Sequence, residues 1–443
     1  MEKVIAVSIQ RQEQPDAAIH ASMNELEELV TTAGGEVVEA HTQKKDRPDP
    51  ATFVGKGKAA ELAERAYQLK VRTLVFDDEL KPVQQRTLEE ITGTKVVDRT
   101  RLILDIFAQR ARSREGKLQV ELAQLTYMLP RITARFGRFE QQTGGIGTRG
   151  PGERKLEVDR RRIRDRMTAL QKQIEKVSGE RALQRSVRRS VPVPQVSLIG
   201  YTNAGKSTLL NALLKHSAPT PGGQRGMPLL SPQASSRGAG ADIPPRGVYA
   251  DDKLFATLDP TTRRIRLPSG RAILFTDTVG FIRKLPTELI ASFRATLEET
   301  ASADLLVHVL DASSPDWPAQ EKAVLAILKD LRMDDLPRVT AYNKMDCLSP
   351  SQKHRLNQDE GLLLSAKTGE RIGEFLRAVE QKLTAQWIEK EIFVPYTDHA
   401  RLGLIHEHAE ILSQVASEGG VRLRIRSHPA TLAQIGVPND ARQ

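Results

Sequence analysis

The sequence predicts an α/β chain: a P-loop domain with a mixed, mostly parallel sheet, preceded by a small α/β domain with an antiparallel helical hairpin and followed by a small α+β domain. Three observations predict it. Strand-like and helix-like segments alternate through the first hundred residues, and heptad-spaced apolar residues follow from about Glu115. An apolar run, Val193 to Ile199, then leads into Gly200-Tyr201-Thr202-Asn203-Ala204-Gly205-Lys206-Ser207, which fits G-x-x-x-x-G-K-[ST].

Taken in order, Val4 to Ile9 reads as a strand. Ala17 to Ala33 reads as a helix with Ile19, Met23, Leu26, Leu29 and Val30 on one face, stopped by Gly34-Gly35. A strand over 36–40, a helix after Gly57, a strand over 73–76, a helix over 83–91 and a strand over 95–98 complete a domain spanning 1–108. Within it, Gly55-Lys56-Gly57-Lys58 lacks P-loop spacing and reads as a turn or a contact to RNA phosphate. Asp77-Asp78-Glu79 reads as a solvated acidic turn.

Residues 109–191 carry two apolar seams. Leu118, Leu125 and Ile132 repeat every seven residues with Leu122, Leu129 and Phe136, and so do Leu156, Ile163, Leu170 and Val177, joined by Met167 and Ile174. Two such helices with a short connection fold back as an antiparallel hairpin, and Pro130 is expected to bend the first or end it early. The tip, 137–153, includes five glycines between Gln141 and Glu153, so ordering it alone is costly. The formal net charge is +10, and from Arg110 to Arg189 there are 21 basic against nine acidic residues, an excess of 12 that accounts for the whole surplus. A basic stripe confined to one segment argues for a polyanion partner, with Arg149 and Arg154 as candidate phosphate contacts. With aromatic residues at only 4%, phosphate and shape contacts would outweigh base stacking.

The P-loop domain is placed at 192–386, with an insert at 216–247 rich in Pro, Gly and Ser and expected to be disordered. A helix starting at Lys206 brings backbone N–H groups onto an anion; Lys206 reaches the β- and γ-phosphates and the Ser207 hydroxyl suits Mg²⁺. Three further segments name the base. A strand ends at Asp277, which would hold Mg²⁺ through water, and Thr278-Val279-Gly280 follows, with the Gly280 N–H for the γ-phosphate. Asn343-Lys344-Met345-Asp346 offers a carboxylate for the paired N–H donors of guanine, and Ser365-Ala366-Lys367 offers backbone for its O6. The nucleotide is therefore GTP or GDP. Beyond it, 387–443 reads as an α+β domain with a strand at Ile392 to Tyr396, a helix from Leu402 to Val415 and an edge strand at Val421 to Arg426.

These motifs, the run Asp252 to Arg264 and the segment Asp277 to Pro286 together resemble the HflX family of ribosome-associated GTPases. The resemblance covers most of the chain. It implies a GTP hydrolase that binds the large (50S) ribosomal subunit and its rRNA through the hairpin tip and splits or rescues stalled or idle ribosomes. It further implies a switch I of Phe255, Ala256, Thr257, Leu258 and Asp259, with Thr257 completing the Mg²⁺ shell ahead of Thr261 and Thr262. Lys206, Thr257, Asp277 and Gly280 form the catalytic set on this reading, with Ser207 and Thr257 on the metal. The insert departs from the family pattern. Phe281 stands where many small G proteins have a glutamine that orients water, so hydrolysis is expected to be slow alone and stimulated by ribosomes.

Other features exclude several classes. No apolar run approaches the length of a membrane span, and Met1-Glu2-Lys3-Val4-Ile5 is not a signal peptide. The single cysteine, Cys347, excludes an internal disulfide framework and fits a reducing cytoplasm. His406 and His408 lack partners at metal spacing, and a monomer is expected. Two rival functions stay open: a regulatory switch whose protein partner docks on the hairpin, and an RNA-remodelling enzyme using ATP at the N-terminal domain.

Overall fold

The computed structural model describes residues 1–136, 151–188, 193–217, 254–255, 258–284, 300–301, 303–357, 361–385, 387–427 and 432. Ala256, Thr257, the tip with Arg149 and the insert from 218 on lie outside the described residues, and so does the side chain of Arg154. Two compact units form: Met1–Ser178 with Ala250–Asp259 and Val279–Leu297, and Gly179–Tyr249 with Pro260–Thr278 and Glu298–Gln443.

The first unit opens with β1 (Glu2–Gln10), α1 (Asp16–Thr32), β2 (Gly35–Lys44), α2 (Lys56–Leu69), β3 (Thr73–Phe76), α3 (Pro82–Thr92) and β4 (Lys95–Asp98). Its sheet runs β2-β1-β3-β4, parallel throughout. Parallel strands need helical crossovers, and these cover the strands enough that β3 is buried at all four positions. One helix was not anticipated, α4 (Arg99–Arg110), capped by the Asp98 side chain on the Arg101 N–H at 2.8 Å.

Helix α5 (Arg114–Phe136) continues through Pro130 rather than ending there. Its fully buried stripe, Gly116, Val120, Ala123 and Tyr127, differs from the heptad seam, in which Leu122, Leu125, Leu129 and Ile132 are half-buried and Leu118 is buried; the Phe136 side chain lies outside the described residues. That stripe packs against α3 and α4, so α5 is part of the N-terminal domain as well as of the hairpin. The polar join is Asp98, fully buried, which accepts from Tyr127 Oη at 2.8 Å and Arg131 Nη2 at 3.1 Å. Burial, with the Asp98 charge beside it, raises the Tyr127 phenol well above its ordinary pKa. On α6 (Pro151–Arg188) the expected seam is in place from Ile163 on, with Leu170 buried and Ile163, Met167, Ile174 and Val177 half-buried; the Leu156 side chain lies outside the described residues. A two-pronged bond from Arg166 to Glu121, at 2.7 and 3.0 Å, ties α6 to α5.

The acidic turn at Asp77 is a correction. Asp77 is wholly buried, accepting from Ser22 Oγ at 2.6 Å and Arg99 Nη1 at 2.7 Å, while Arg99 also meets Glu25. A carboxylate is buried only when cations and donors replace its water, and Ser22 and Arg99 come from helices that the local sequence does not connect to it.

The second unit contains β5 (Gln195–Gly200), α7 (Lys206–His216), β6 (Thr261–Arg266), β7 (Ala272–Asp277), β8 (Leu305–Asp311), α8 (Trp317–Asp330), β9 (Arg338–Asn343), α9 (Pro350–Leu356), β10 (Leu362–Leu363) and α10 (Ile372–Thr384). Its sheet has the order β10-β9-β8-β5-β7-β6, parallel except for β6 against β7. The core lies where Leu209, Leu210 and Leu213 of α7 meet Val196, Leu198, Phe275 and Val307 of the sheet and Phe375 and Val379 of α10.

The C-terminal part has β11 (Ile388–Pro395), α11 (His399–His408), β12 (Glu410–Ser417) and β13 (Gly420–Ser427) in a sheet of order β11-β13-β12, antiparallel. Two expectations fail. The helix stops at His408, with 410–417 a strand, and 420–427 is the central strand rather than an edge. Gly419, at φ +84°, makes the tight turn that folds β12 onto β13, and cross-strand pairing then outweighs the helical spacing of 402–415. The Arg271 guanidinium lies 4.3 Å above the Trp387 ring and its Nη2 is 3.4 Å from Glu410, which joins this sheet to the P-loop domain.

Candidate functional site: a guanine nucleotide pocket

Strand β5 ends in the phosphate loop and α7 starts at Lys206, as expected. Two glycines are required. Gly200, at φ +147°, passes so close to β8 that a Cβ would lie 2.2 Å from the Val309 carbonyl oxygen; Gly205, at φ +91°, would put one 2.2 Å from Asn343 Nδ2. Tyr201, Thr202 and Ala204 are buried, and Asn203 is exposed at φ +60°. Lys206 is buried, donating to the carbonyls of Gly200 at 3.1 Å and Tyr201 at 2.8 Å. Burial pushes its ammonium down to about 8 despite the opposing pull of Asp277.

Ser207 Oγ donates to Asp277 Oδ2 at 2.6 Å, and Asp277 is fully buried. A hydroxyl and a carboxylate this close form a hard-oxygen pair that suits Mg²⁺. Thr278 turns its hydroxyl to the Leu198 carbonyl at 2.6 Å, locking the end of β7 onto β5. The units part after this residue: Asp277 and Thr278 pack with the second, Val279 and Gly280 with the first.

The base-reading segments converge through Asn343. Its Nδ2 donates to the Ala204 carbonyl at 2.9 Å and its Oδ1 accepts the Ala366 N–H at 2.9 Å. Lys344, at φ +64°, is held by Asp311 at 2.8 Å, a partner at the end of β8 that reading the motifs alone misses. The signal for it was an acid closing an apolar strand run, the same pattern that identified Asp277. Met345 is buried, and Asp346 is exposed with Oδ1 accepting from the buried Ser365 hydroxyl at 2.7 Å. That bond, chiefly, holds the Asp346 carboxyl below its ordinary pKa, so it is kept as an acceptor. Lys367 is exposed, and Cys347 is exposed with its thiol toward Asp346 at 3.6 Å.

The switch I residues that are described lie in the first unit. Leu254, Phe255 and Leu258 are buried there, with the Phe255 ring edge-on to Phe107 at 4.5 Å. Asp259 accepts from the backbone N–H groups of Arg112 at 3.0 Å and Ser113 at 2.8 Å and from the Ser113 hydroxyl. Thr261 and Thr262 open β6, Thr262 sharing a bond with Thr276 at 2.9 Å.

Comparison with known proteins places this geometry. Family models described as GTP-binding GTPase N-terminal, GTP-binding GTPase Middle Region and 50S ribosome-binding GTPase match residues 20–108, 110–188 and 195–225 with 245–344. GTPase HflX of Caldanaerobacter subterraneus is 44% identical over 91% of this chain and 86% of its own. GTPase HflX of Escherichia coli is 38% identical over 91% and 89%.

The chain belongs to the HflX family of GTPases. It is a GTP hydrolase. Among solved structures, a GTP-binding protein from Sulfolobus solfataricus in complex with GDP is 21% identical, covering 87% of this chain and 99% of its own with a TM-score of 0.41. Among the described residues no helix is long and apolar enough to cross a membrane, and no group of three or more acidic, histidine or cysteine residues could hold a metal.

Proposed function

We propose that this GTPase is a monomeric cytoplasmic factor that binds the large ribosomal subunit through its hairpin and rRNA, separates stalled or idle ribosomes, for example under stress, and is released by GTP hydrolysis. The observation that carries the reading is the arginine cluster of α6, where Arg161, Arg162 and Arg164 are exposed beside Arg166, itself exposed and paired with Glu121, in a chain that binds a guanine nucleotide. A row of cations on one helix supplies the salt-dependent phosphate contacts that RNA binding needs. The match to the model described as a 50S ribosome-binding GTPase supports the same partner.

In the proposed cycle, triphosphate draws the Lys206 ammonium from the carbonyls of Gly200 and Tyr201 onto the β- and γ-phosphate oxygens. Asn343, Asp346, Ser365 and Ala366 hold the base. Ser207 and Thr257, with Asp277 through water, would hold Mg²⁺, which would supply positive charge against the phosphate oxygens. Thr257 and the Gly280 N–H meet the γ-phosphate, while Phe255, Ala256, Leu258, Thr278 and Val279 shape the segments carrying them. Water then adds to the γ-phosphorus, its bond to the bridging oxygen breaks, and GDP and phosphate leave. Phe281, a buried hydrocarbon, cannot orient that water, so the particle is expected to raise turnover by roughly 10³-fold or more.

Co-sedimentation with 50S subunits tests the proposal: retention with a non-hydrolysable GTP analogue and release with GDP are expected. Retention insensitive to nucleotide, or no acceleration of turnover, would overturn it and favour a protein partner on the hairpin. Replacing Arg149 and Arg154 together should lower affinity and flatten its salt dependence. ATP hydrolysis that survives Lys206→Ala would instead support a remodelling enzyme working from the N-terminal domain.

A further inference from the structure

One edge strand of the P-loop sheet is shorter than its neighbour. β10 has only Leu362 and Leu363, which pair with Ala341 and Tyr342, so the first half of β9, from Arg338 to Thr340, runs past the end of it. On its other side β9 is held by β8, where the Leu306 N–H donates to the Pro337 carbonyl at 2.9 Å. Backbone groups alternate in direction along a strand, so the N–H and C=O of Arg338 point away from β8. Among the described residues nothing pairs with them. A sheet edge left open in this way is a template for another extended chain.

Beside that edge lies an open cleft of about 720 Å³, built entirely within the second unit. Leu336, Val339 and Leu362 give it an apolar lining, and α10 lines it with Ala378 and Ala385, which bring only methyl groups and so leave the room. Val339 and Leu362 pack toward the core on the α10 side of the sheet, and Arg338, the next residue along, faces the other way. Arg338 and Lys382 bring two cations to the lining against one acid, Asp334, and among the described residues neither cation has an ion-pair partner. Spare cations on an apolar lining suit an acidic chain that also carries apolar side chains. RNA fits less well, since its phosphates gain nothing from the leucines.

We propose that this edge docks an extended acidic segment of a partner protein, which adds to β9 beside Arg338 as a further strand. Its backbone pairs with the free N–H and C=O of Arg338, alternate apolar side chains enter the cleft against Val339 and α10, and its carboxylates meet Arg338 and Lys382. Arg338 opens β9 and Asn343 closes it, roughly 16 Å away along the strand, so an occupant there leaves the nucleotide site open.

Fluorescence anisotropy on the full chain with GDP bound tests this, using a labelled hexapeptide of alternating glutamate and valine. Saturable binding is expected, weakened about fivefold or more in the double variant Arg338→Gln with Lys382→Gln, while GDP affinity stays within about twofold. N-methylation of every peptide amide removes the strand hydrogen bonds and keeps each charge, and is expected to weaken binding about tenfold or more to the unaltered protein. Hydrogen exchange at 338–340 is expected to slow when the peptide is added. Equal binding of the N-methylated peptide, equal binding of a lysine and valine peptide, or unchanged exchange at 338–340 overturns the proposal. Displacement of the peptide by a single-stranded RNA hexamer overturns it in favour of nucleic acid.

Discussion

Asn343 and Ala204, 139 residues apart, share a 2.9 Å hydrogen bond that binds the base-reading loop to the phosphate loop. Its other amide atom takes the Ala366 N–H, so one buried side chain sets the distance between the two ends of the nucleotide site. Asn343→Ala leaves a buried carbonyl and a buried N–H without these partners at about 1–3 kcal/mol each. GDP affinity is expected to fall by about a hundredfold, read by displacement of a fluorescent nucleotide, with a lower Tm even without nucleotide.

Asp346 is exposed and steadied by Ser365, and in the proposed site it selects guanine by accepting two N–H donors. Asp346→Asn turns one acceptor into a donor and should weaken GTP binding by about a hundredfold or more while favouring xanthine nucleotides, whose 2-oxo group accepts. Competition between GTP and XTP for the variant measures this.

Gly200 faces the Val309 carbonyl across β5 and β8. Gly200→Ala forces the strands apart or the loop out of shape, at an expected cost of about 2 kcal/mol or more, and denaturant titration without nucleotide would register it.

His308, in the middle of β8, is fully buried, and among the described residues neither ring nitrogen has a hydrogen-bond partner. Burial, with Arg338 and Lys206 adding repulsion, holds its pKa down to about 3. A folded value below the unfolded value of 6.5 means that the unfolded chain binds the extra proton, so stability falls as pH drops from 6.5 toward 3. The loss at pH 5 is about 2 kcal/mol. His308→Phe should flatten that part of the stability curve, measured by urea unfolding between pH 5 and 8.

Much of this protein was legible locally. The phosphate loop, the strand before it and the helix after it are where the motif put them, because an anion site made of consecutive backbone N–H groups and two glycines is complete within eight residues. The strands over 73–76 and 95–98 and the α6 seam were equally clear, since periodicity reports which face of an element is apolar. Periodicity does not say what covers that face. Hence the second buried stripe of α5, the central place of 420–427 and the strand at 410–417 were missed or misread.

From its sequence alone the chain determined that it binds a guanine nucleotide, since each recognising group sits in a short contiguous motif whose chemistry is set by residue type. Only the tertiary structure decided that Asp77 is a buried hub rather than a wet turn, that Asp311 steadies Lys344, and that Asp259 and Lys284 belong to the hairpin's unit. Those outcomes depend on charges brought together from 22 to 207 residues apart, and whether a carboxylate is hydrated or paired is settled by what the fold sets against it.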